Sequence, residues 1–275
     1  MIDLHTHTTA SDGRCTPSEL VARAAAAGVQ VLSVTDHDTV AAWEVASTSC
    51  AAAGVELVSG VEITAILDGA DVHVLGYFID VGALALHRFL SEQRRRRIDR
   101  VRQMIDRLGS FGIRLDADAI LQPGIDDTSK AAGRPWIARA LVAGGHVKTT
   151  NEAFERWLAR GRPAFVPRLG ARPEEVFARI HEAGGIASLA HPGLLRHDES
   201  IADFAAAGLD ALEGYHPDHD PESTLRYLEL ADRFGLAVSG GSDYHADQSH
   251  GTAGLGSVAL PREAYEKLKS RRRSG

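Results

Sequence analysis

His5 and His7 stand two residues apart near one end of the chain, Asp243 and His245 stand two apart near the other, and Asp12, His37, Glu62, His73 and His191 lie between them. Alternate residues on an extended strand project to the same side, so each pair can offer two donors to one ion if its strand ends there. Imidazoles and carboxylates are ligands for divalent transition metals, and most of these residues follow a short apolar run that reads as a buried strand. A lone histidine is ordinarily a packed or surface residue. Two such pairs, with five further donors at strand ends or in the loops after them, are hard to explain by packing, and together they predict a multi-metal site.

Donors so far apart in sequence meet in a fold that gathers its strand ends at one mouth, as a (β/α) barrel does. Seven runs read as strands: residues 2–5, 29–35, 55–63, 72–78, 185–190, 209–215 and 236–240. Stretches with helix signals separate most of them. Thr16-Pro17-Ser18-Glu19 supplies an N-cap, a proline at the first helical position and an acid at the third, and Arg172-Pro173-Glu174-Glu175 opens another helix. The junctions Ala27-Gly28-Val29 and Ala53-Gly54-Val55 place glycine where a helix must stop and a strand begin. From about residue 80 to 165 the strand rhythm is missing, and Leu84 to Leu108 carries a long helical pattern. The expected organisation is an α/β barrel domain made of residues 1–80 and 166–275, with residues 81–165 as a helical insertion covering the active-site mouth. Within that insertion Arg94-Arg95-Arg96-Arg97 reads as a solvated helix face paired with Glu92, Asp99 and Asp106, in preference to a nucleic-acid patch.

Composition narrows the function classes. A chain of 275 residues that is 44% hydrophobic can bury a large core, and its net charge of −7 argues against a general polyanion-binding surface. Contact with phosphate is therefore expected to be local, without an extended nucleic-acid surface. The two cysteines, Cys15 and Cys50, lie outside any Cys-x-x-Cys or Cys/His cluster and read as reduced thiols of a cytoplasmic protein. No secretory leader and no stretch long enough to cross a bilayer is expected.

The clusters also carry a resemblance. His5-Thr6-His7 with Ser11-Asp12-Gly13, Val34-Thr35-Asp36-His37-Asp38, Gly60-Val61-Glu62-Ile63, His73-Val74-Leu75-Gly76-Tyr77, Leu189-Ala190-His191-Pro192-Gly193 and Gly240-Gly241-Ser242-Asp243-Tyr244-His245 resemble the PHP (polymerase and histidinol phosphatase) family over nearly the whole chain. The resemblance implies a distorted seven-stranded (β/α) barrel, the (β/α)7 PHP barrel, with a trinuclear metal site. It implies that His5, His7, Glu62 and Asp243 hold one ion, that Asp12, His37 and His245 hold a second, and that Glu62, as a bridge, holds a third with His73 and His191. Every expected ligand type is present, which argues against a degenerate copy of the kind attached to some polymerases.

Such a site suits phosphate ester hydrolysis, since ions about 3.5–4 Å apart can hold one hydroxide between them and offset charge on the phosphoryl oxygens. The mixed donor set suits Mn, Fe or Zn better than Mg. Asp36 and Asp38, flanking His37, read equally as orienters of the ligands or as caps. For the substrate, Arg134 is the first choice of phosphate clamp, because a guanidinium can grip two phosphate oxygens, and Lys130 and Arg168 are further candidates. The segment Gly133-Arg134-Pro135-Trp136 resembles the Arg-Pro-His stretch of the PHP branch that contains nucleoside 3',5'-bisphosphate phosphatases and 5'-3' exoribonucleases, with Trp136 in place of the histidine. A further cluster, Tyr215-His216-Pro217-Asp218-His219, follows the sixth strand and is expected to face the mouth; by the same resemblance one of these residues is expected to protonate the leaving alcohol, Asp218 or His219 being the choice, and a structural turn on Pro217 is the competing reading. The implied activity is removal of the 3'-phosphate of a nucleoside 3',5'-bisphosphate or exoribonuclease action on short 5'-phosphorylated RNA. A histidinol-phosphate type phosphatase and a non-catalytic module are the alternatives.

Overall fold

The computed structural model describes residues 1–126, 132–195, 197–247, 254–258 and 260–272. Seven strands form one sheet in chain order: β1 (Ile2–Asp3), β2 (Val31–Val34), β3 (Glu56–Leu67), β4 (Ala70–Tyr77), β5 (Ile186–Leu189), β6 (Ala211–Tyr215) and β7 (Ala237–Gly240). The Leu4 N–H donates to Gly240 O at 3.2 Å and Thr6 bridges Tyr244 in parallel, so the last strand returns to the first and the barrel nearly closes. Around it lie α1 (Pro17–Ala26), α2 (Trp43–Ala53), then α3 (Leu84–Ser110), α4 (Ala117–Asp126), α5 (Arg134–Ala143) and α6 (Thr150–Ala153), and finally α7 (Pro173–Glu182), α8 (Pro192–Leu195), α9 (Ser200–Ala206), α10 (Pro221–Arg233) and α11 (Arg262–Ser270). The expected capping box is present, with the Thr16 hydroxyl and the Glu19 carboxylate each accepting the other's backbone N–H.

The βα alternation fails at one place. Between β3 and β4 there is no helix but a two-residue turn, Asp68-Gly69, with φ of +48° and +74°. Two consecutive positive φ values define a hairpin turn whose twist matches the strands, and a connection that short can only bring the chain back antiparallel. Accordingly β4 is antiparallel to both β3 and β5, whereas the other pairs are parallel. The inversion decides where His73 goes. Near the beginning of a parallel strand it would face the barrel floor; near the beginning of an inverted one it stands at the mouth, paired with Thr64 and two positions from the Glu62–Leu75 pair. Also, β3 continues to Leu67, four residues beyond the expected end.

Outward residues of β3 and β4, Val61, Ile63, Ala65, Val72 and Val74, pack against Val176, Phe177 and Ile180 of α7. The 27-residue α3 belongs to two cores. Its first turns place Leu86 and Leu90 in the barrel cluster, while Val101, Met104, Ile105 and Leu108 join Leu121 of α4 and Ile137 and Leu141 of α5 in a separate one. No helix among the described residues is long and apolar enough to cross a membrane. Cys15 and Cys50 are free and buried, and burial pushes the Cys50 thiol up to about 11.

Gly241 shows how tightly the closing seam is built. A Cβ there would lie 2.3 Å from His5 N and 2.5 Å from His5 Cβ. Gly241→Ala is expected to lose about 1–3 kcal/mol to overpacking. Gly109→Ala, in α3 with nothing within 4 Å, should gain about 0.5–1 kcal/mol from the stiffer chain. Urea unfolding of the two variants checks this pair of opposite signs.

Candidate metal centre

The mouth of the barrel collects all nine predicted donors, eight of them around Glu62, which is 1% exposed. Glu62 Oε2 lies 3.4 Å from His5 Nε2, 3.2 Å from His7 Nε2 and 3.1 Å from His37 Nδ1; Oε1 lies 2.8 Å from His73 Nδ1 and 3.3 Å from His191 Nε2. Asp243 Oδ1 is 3.2 Å from both His5 Nε2 and His7 Nε2, and Asp12 Oδ1 is 3.3 Å from His245 Nε2. The i, i+2 pairs thus project together as expected. His7 stands between groups, also joining Asp12, His37 and His245, and His191 also comes together with His5 and Asp243.

The fit to metal ions can be tested on the donors themselves. His5 Nε2, His7 Nε2, His37 Nδ1, Glu62 Oε2, His73 Nδ1 and Asp243 Oδ1 are all buried with no hydrogen-bond partner. Leaving that many polar atoms unsatisfied would be prohibitive unless something else binds them. Two atoms that share a tetrahedral or octahedral ion at about 2.0–2.1 Å stand roughly 3.0–3.4 Å apart, which is the spacing seen here. The cluster could therefore bind metal.

Neighbouring groups aim the donors. Asp243 and His191 take φ of +49° and +26°, which turns their side chains inward from the ends of β7 and β5. The His245 Nδ1–H donates to the Asp243 carbonyl at 2.8 Å, which leaves Nε2 for the site. Asp36 accepts from the Thr8 N–H, the Thr8 hydroxyl and the Ser11 hydroxyl, and so holds the loop that carries Asp12. Asp38 accepts from the Thr64 N–H at 3.1 Å and is clasped by Arg97 at 2.5 Å. One contributor was not foreseen, and a second belongs to the cluster of residues 215–219 expected at the mouth, where the role was given to its neighbours. Glu213 on β6, fully buried, takes His5 Nδ1–H at 3.0 Å and the His191 N–H at 2.6 Å. His216 accepts the Asp218 N–H at Nδ1, so its Nε2 carries the proton, 3.6 Å from Asp243 Oδ2. The only sequence signal for Glu213 was inward alternation on β6.

The turn after β6 corrects an expectation. His219 donates from Nδ1 to Gly214 O at 3.1 Å and accepts the Gly193 N–H at Nε2, and Asp218 is exposed; neither lines the cavity over the donors. The turn is held structurally, and it is His216 that reaches the carboxylate.

The cavity has a volume of about 360 Å³ and runs from the donors to a group of arginines. Arg134 at the start of α5 and Arg168 after the insertion approach Asp71 Oδ2 to 4.0 and 3.7 Å. Lys130 lies outside the described residues. The arginine run is also corrected: Arg95 and Arg96 pair with Glu92 on the solvated face, but Arg94 and Arg97 turn inward to Asp38, and Arg97 lines the cavity with Arg100. A four-residue run covers every face of a helix, so the outward-facing reading could hold only for part of it. Burial, and after it the neighbouring Arg97, brings Arg168 down to about 9; burial and Arg134 bring Arg100 down to about 10. Cations crowded this closely around few carboxylates make an anion site.

Burial opposes charge on His7, but Asp243 and Glu62 outweigh it and raise its pKa to about 10, whereas burial takes His37 down to about 3. A raised pKa means that the protonated His7 stabilises the cation-free fold fully below about 6.5, and that this contribution is lost as pH rises through about 10. A cation must displace that proton. Metal uptake at pH 8 is thus expected to release protons, seen as binding heats that change with buffer ionisation enthalpy; buffer-independent heats would contradict it.

The sequence model of the family described as PHP domain matches residues 3–134. The chain is 36% identical over 252 residues to the 3',5'-nucleoside bisphosphate phosphatase of Chromobacterium violaceum, covering 89% of this chain and 87% of that protein. It is also 36% identical over 252 residues to the 5'-3' exoribonuclease Rnm of Salmonella typhimurium, covering 88% and 84%. Among solved structures, a candidate metal-dependent phosphoesterase from Bifidobacterium adolescentis superposes with a TM-score of 0.87 at 32% identity, covering 99% of this chain and 96% of that one.

Proposed function

The chain belongs to the PHP family, and from that premise we propose that this metal-dependent phosphoesterase removes the 3'-phosphate of nucleoside 3',5'-bisphosphates, with short 5'-phosphorylated RNA as the related substrate. One observation carries the choice: a single cavity joins the donor cluster to a separate group of four arginines, Arg97, Arg100, Arg134 and Arg168. Two anion sites in one cavity suit a substrate with two phosphates. The names of the relatives support the same chemistry. A single-phosphate metabolite of the histidinol-phosphate type would leave the arginines without a counter-anion.

Three divalent ions, Mn, Fe or Zn, are assigned to the donors: His5, His7, Glu62 and Asp243 for one, Asp12, His37 and His245 for another, and Glu62, His73 and His191 for the third. When bound, such ions supply an activated water and neutralise charge on the phosphoryl oxygens. The protein's own residues position the rest. Glu213 fixes the His5 tautomer and the His191 backbone, and Asp36 fixes the loop of Asp12. Arg134, the most accessible arginine of the group that faces Asp71, takes the 5'-phosphate, with Arg168 behind it. Residues 81–165 act as the substrate-selecting insertion on a barrel of residues 1–80 and 166–275, because they supply Arg97, Arg100 and Arg134.

Phosphate release by the metal-loaded protein from a panel of nucleoside bisphosphates, mononucleotides, short RNAs and histidinol phosphate tests the reading. Turnover of bisphosphate is expected, and a protein that releases nothing from any nucleotide would refute it. His7→Ala or Asp243→Asn should lose bound metal, measured by elemental analysis, together with turnover. Arg134→Ala should remove a charge-assisted contact of about 1.5–3 kcal/mol, raising KM roughly ten- to hundredfold with little change in kcat.

A further inference from the structure

The cavity does not end at the metal donors. Beyond Asp12 a second cleft of about 420 Å³ shares Asp12, Pro135 and Phe154 with the first and continues between Arg14 and Asp247 on the barrel side and Arg139 and Asn151 on the insertion side. Asp12 therefore borders open space on two sides of the donor cluster, and the arginines Arg97, Arg100, Arg134 and Arg168 line only the first. We infer that this second cleft receives the nucleotide that follows the scissile phosphate in a 5'-phosphorylated RNA, an inference that rests on the phosphoesterase reading above.

The chemistry of the two substrates differs at one atom. In a nucleoside 3',5'-bisphosphate, water's oxygen bonds to the 3'-phosphorus, the bond from phosphorus to the 3'-oxygen breaks, and a proton passes to that oxygen; the products are a nucleoside 5'-phosphate and inorganic phosphate. In RNA the same bonds form and break and the same nucleoside 5'-phosphate leaves. One non-leaving oxygen of the phosphorus, however, carries the next nucleoside, and the other product is a shorter chain that again bears a 5'-phosphate. Neither the attacking water nor the departing 3'-oxygen needs the additional room. Only the substituent on the non-leaving oxygen does, and it must extend away from the arginine side, where the first nucleotide sits.

The walls of the second cleft fit that substituent. Arg14 is held by Asp247 at 2.8 Å, and Arg139, half-buried, forms no ion pair among the described residues. With Glu155 also on the rim, and with Asp12 counted among the donors, the two arginines and the two remaining carboxylates leave the cleft close to neutral. That charge balance suits a diester chain with one negative charge per link better than a second terminal phosphate. Phe154 and Pro135 give an apolar face for a base, where stacking is tolerant of sequence, and the Asn151 amide can meet its edge.

The test uses the full metal-loaded chain and two substrates, a nucleoside 3',5'-bisphosphate and a 5'-phosphorylated trinucleotide, each followed by kcat/KM. Asn151 is exposed, so Asn151→Trp can fill the cleft without touching the core; Arg139→Ala is the second variant, and melting curves establish that both are folded. In each, the ratio of RNA to bisphosphate kcat/KM is expected to fall tenfold or more, whereas Arg134→Ala should lower both substrates together. Ratios unchanged in both variants would overturn the inference. So would a wild-type protein that hydrolyses the bisphosphate but not the RNA. A wild-type protein inactive on both would instead refute the phosphoesterase reading on which the inference rests.

Discussion

The buried carboxylate of Glu62 faces five imidazoles, and much of the architecture is explained by what that requires. A carboxylate removed from water is costly unless it is surrounded by donors or cations. At the mouth of this barrel His5, His7 and His37 come to one of its oxygens and His73 and His191 to the other. They arrive from both sides in sequence, from the loops after β1, β2 and β5 and from β4. No local segment could provide that set. The strand order must be right, the closing seam must bring Asp243 and His245 against the first strand, and every backbone near the seam must be thin enough to permit it, as the close approach of Gly241 to His5 illustrates.

The second layer of carboxylates is as structural as it is chemical. Glu213, Asp36 and Asp38 each tie two segments that approach the mouth from different strands. Such groups rigidify a site because each of their acceptor atoms is committed to a particular donor. The insertion is bound into the same network, since Arg97 on α3 reaches over the rim to Asp38, one residue from His37. The helix that lines the cavity is therefore also attached to the loop that carries His37.

How much of this was legible in the sequence follows from the kind of signal each part leaves. The donors stood out because His-x-His and Asp-x-His at the ends of apolar runs are rare and directional. The seven strands stood out because buried strands are continuous apolar runs. The antiparallel β4 is signalled by Asp68-Gly69, a two-residue hairpin turn set within an otherwise repeating βα pattern. Glu213 left almost no trace: it is one polar residue in a strand, and only the tertiary partner gives it meaning, whereas His216 stood in a visible cluster that gave no sign of which member reaches the carboxylate. Arg97 is obscured for the opposite reason, since a charge run advertises solvent, and the helix divides the run between water and the barrel. In the turn that carries Asp218 and His219, the Asp218 N–H donates to His216 Nδ1, a contact that no spacing in the sequence signals.

The length of α3 has a consequence for the physical unity of the molecule. Its 27 residues span about 40 Å, with Leu86 and Leu90 in one apolar cluster and Met104 and Leu108 in another. Neither cluster is complete without the helix, and the helix has no break at which one half could melt alone. The two cores thus share a rigid rod, so heat or denaturant encounters one cooperative body, and excising the insertion at its apparent ends would strip apolar cover from the barrel it leaves behind.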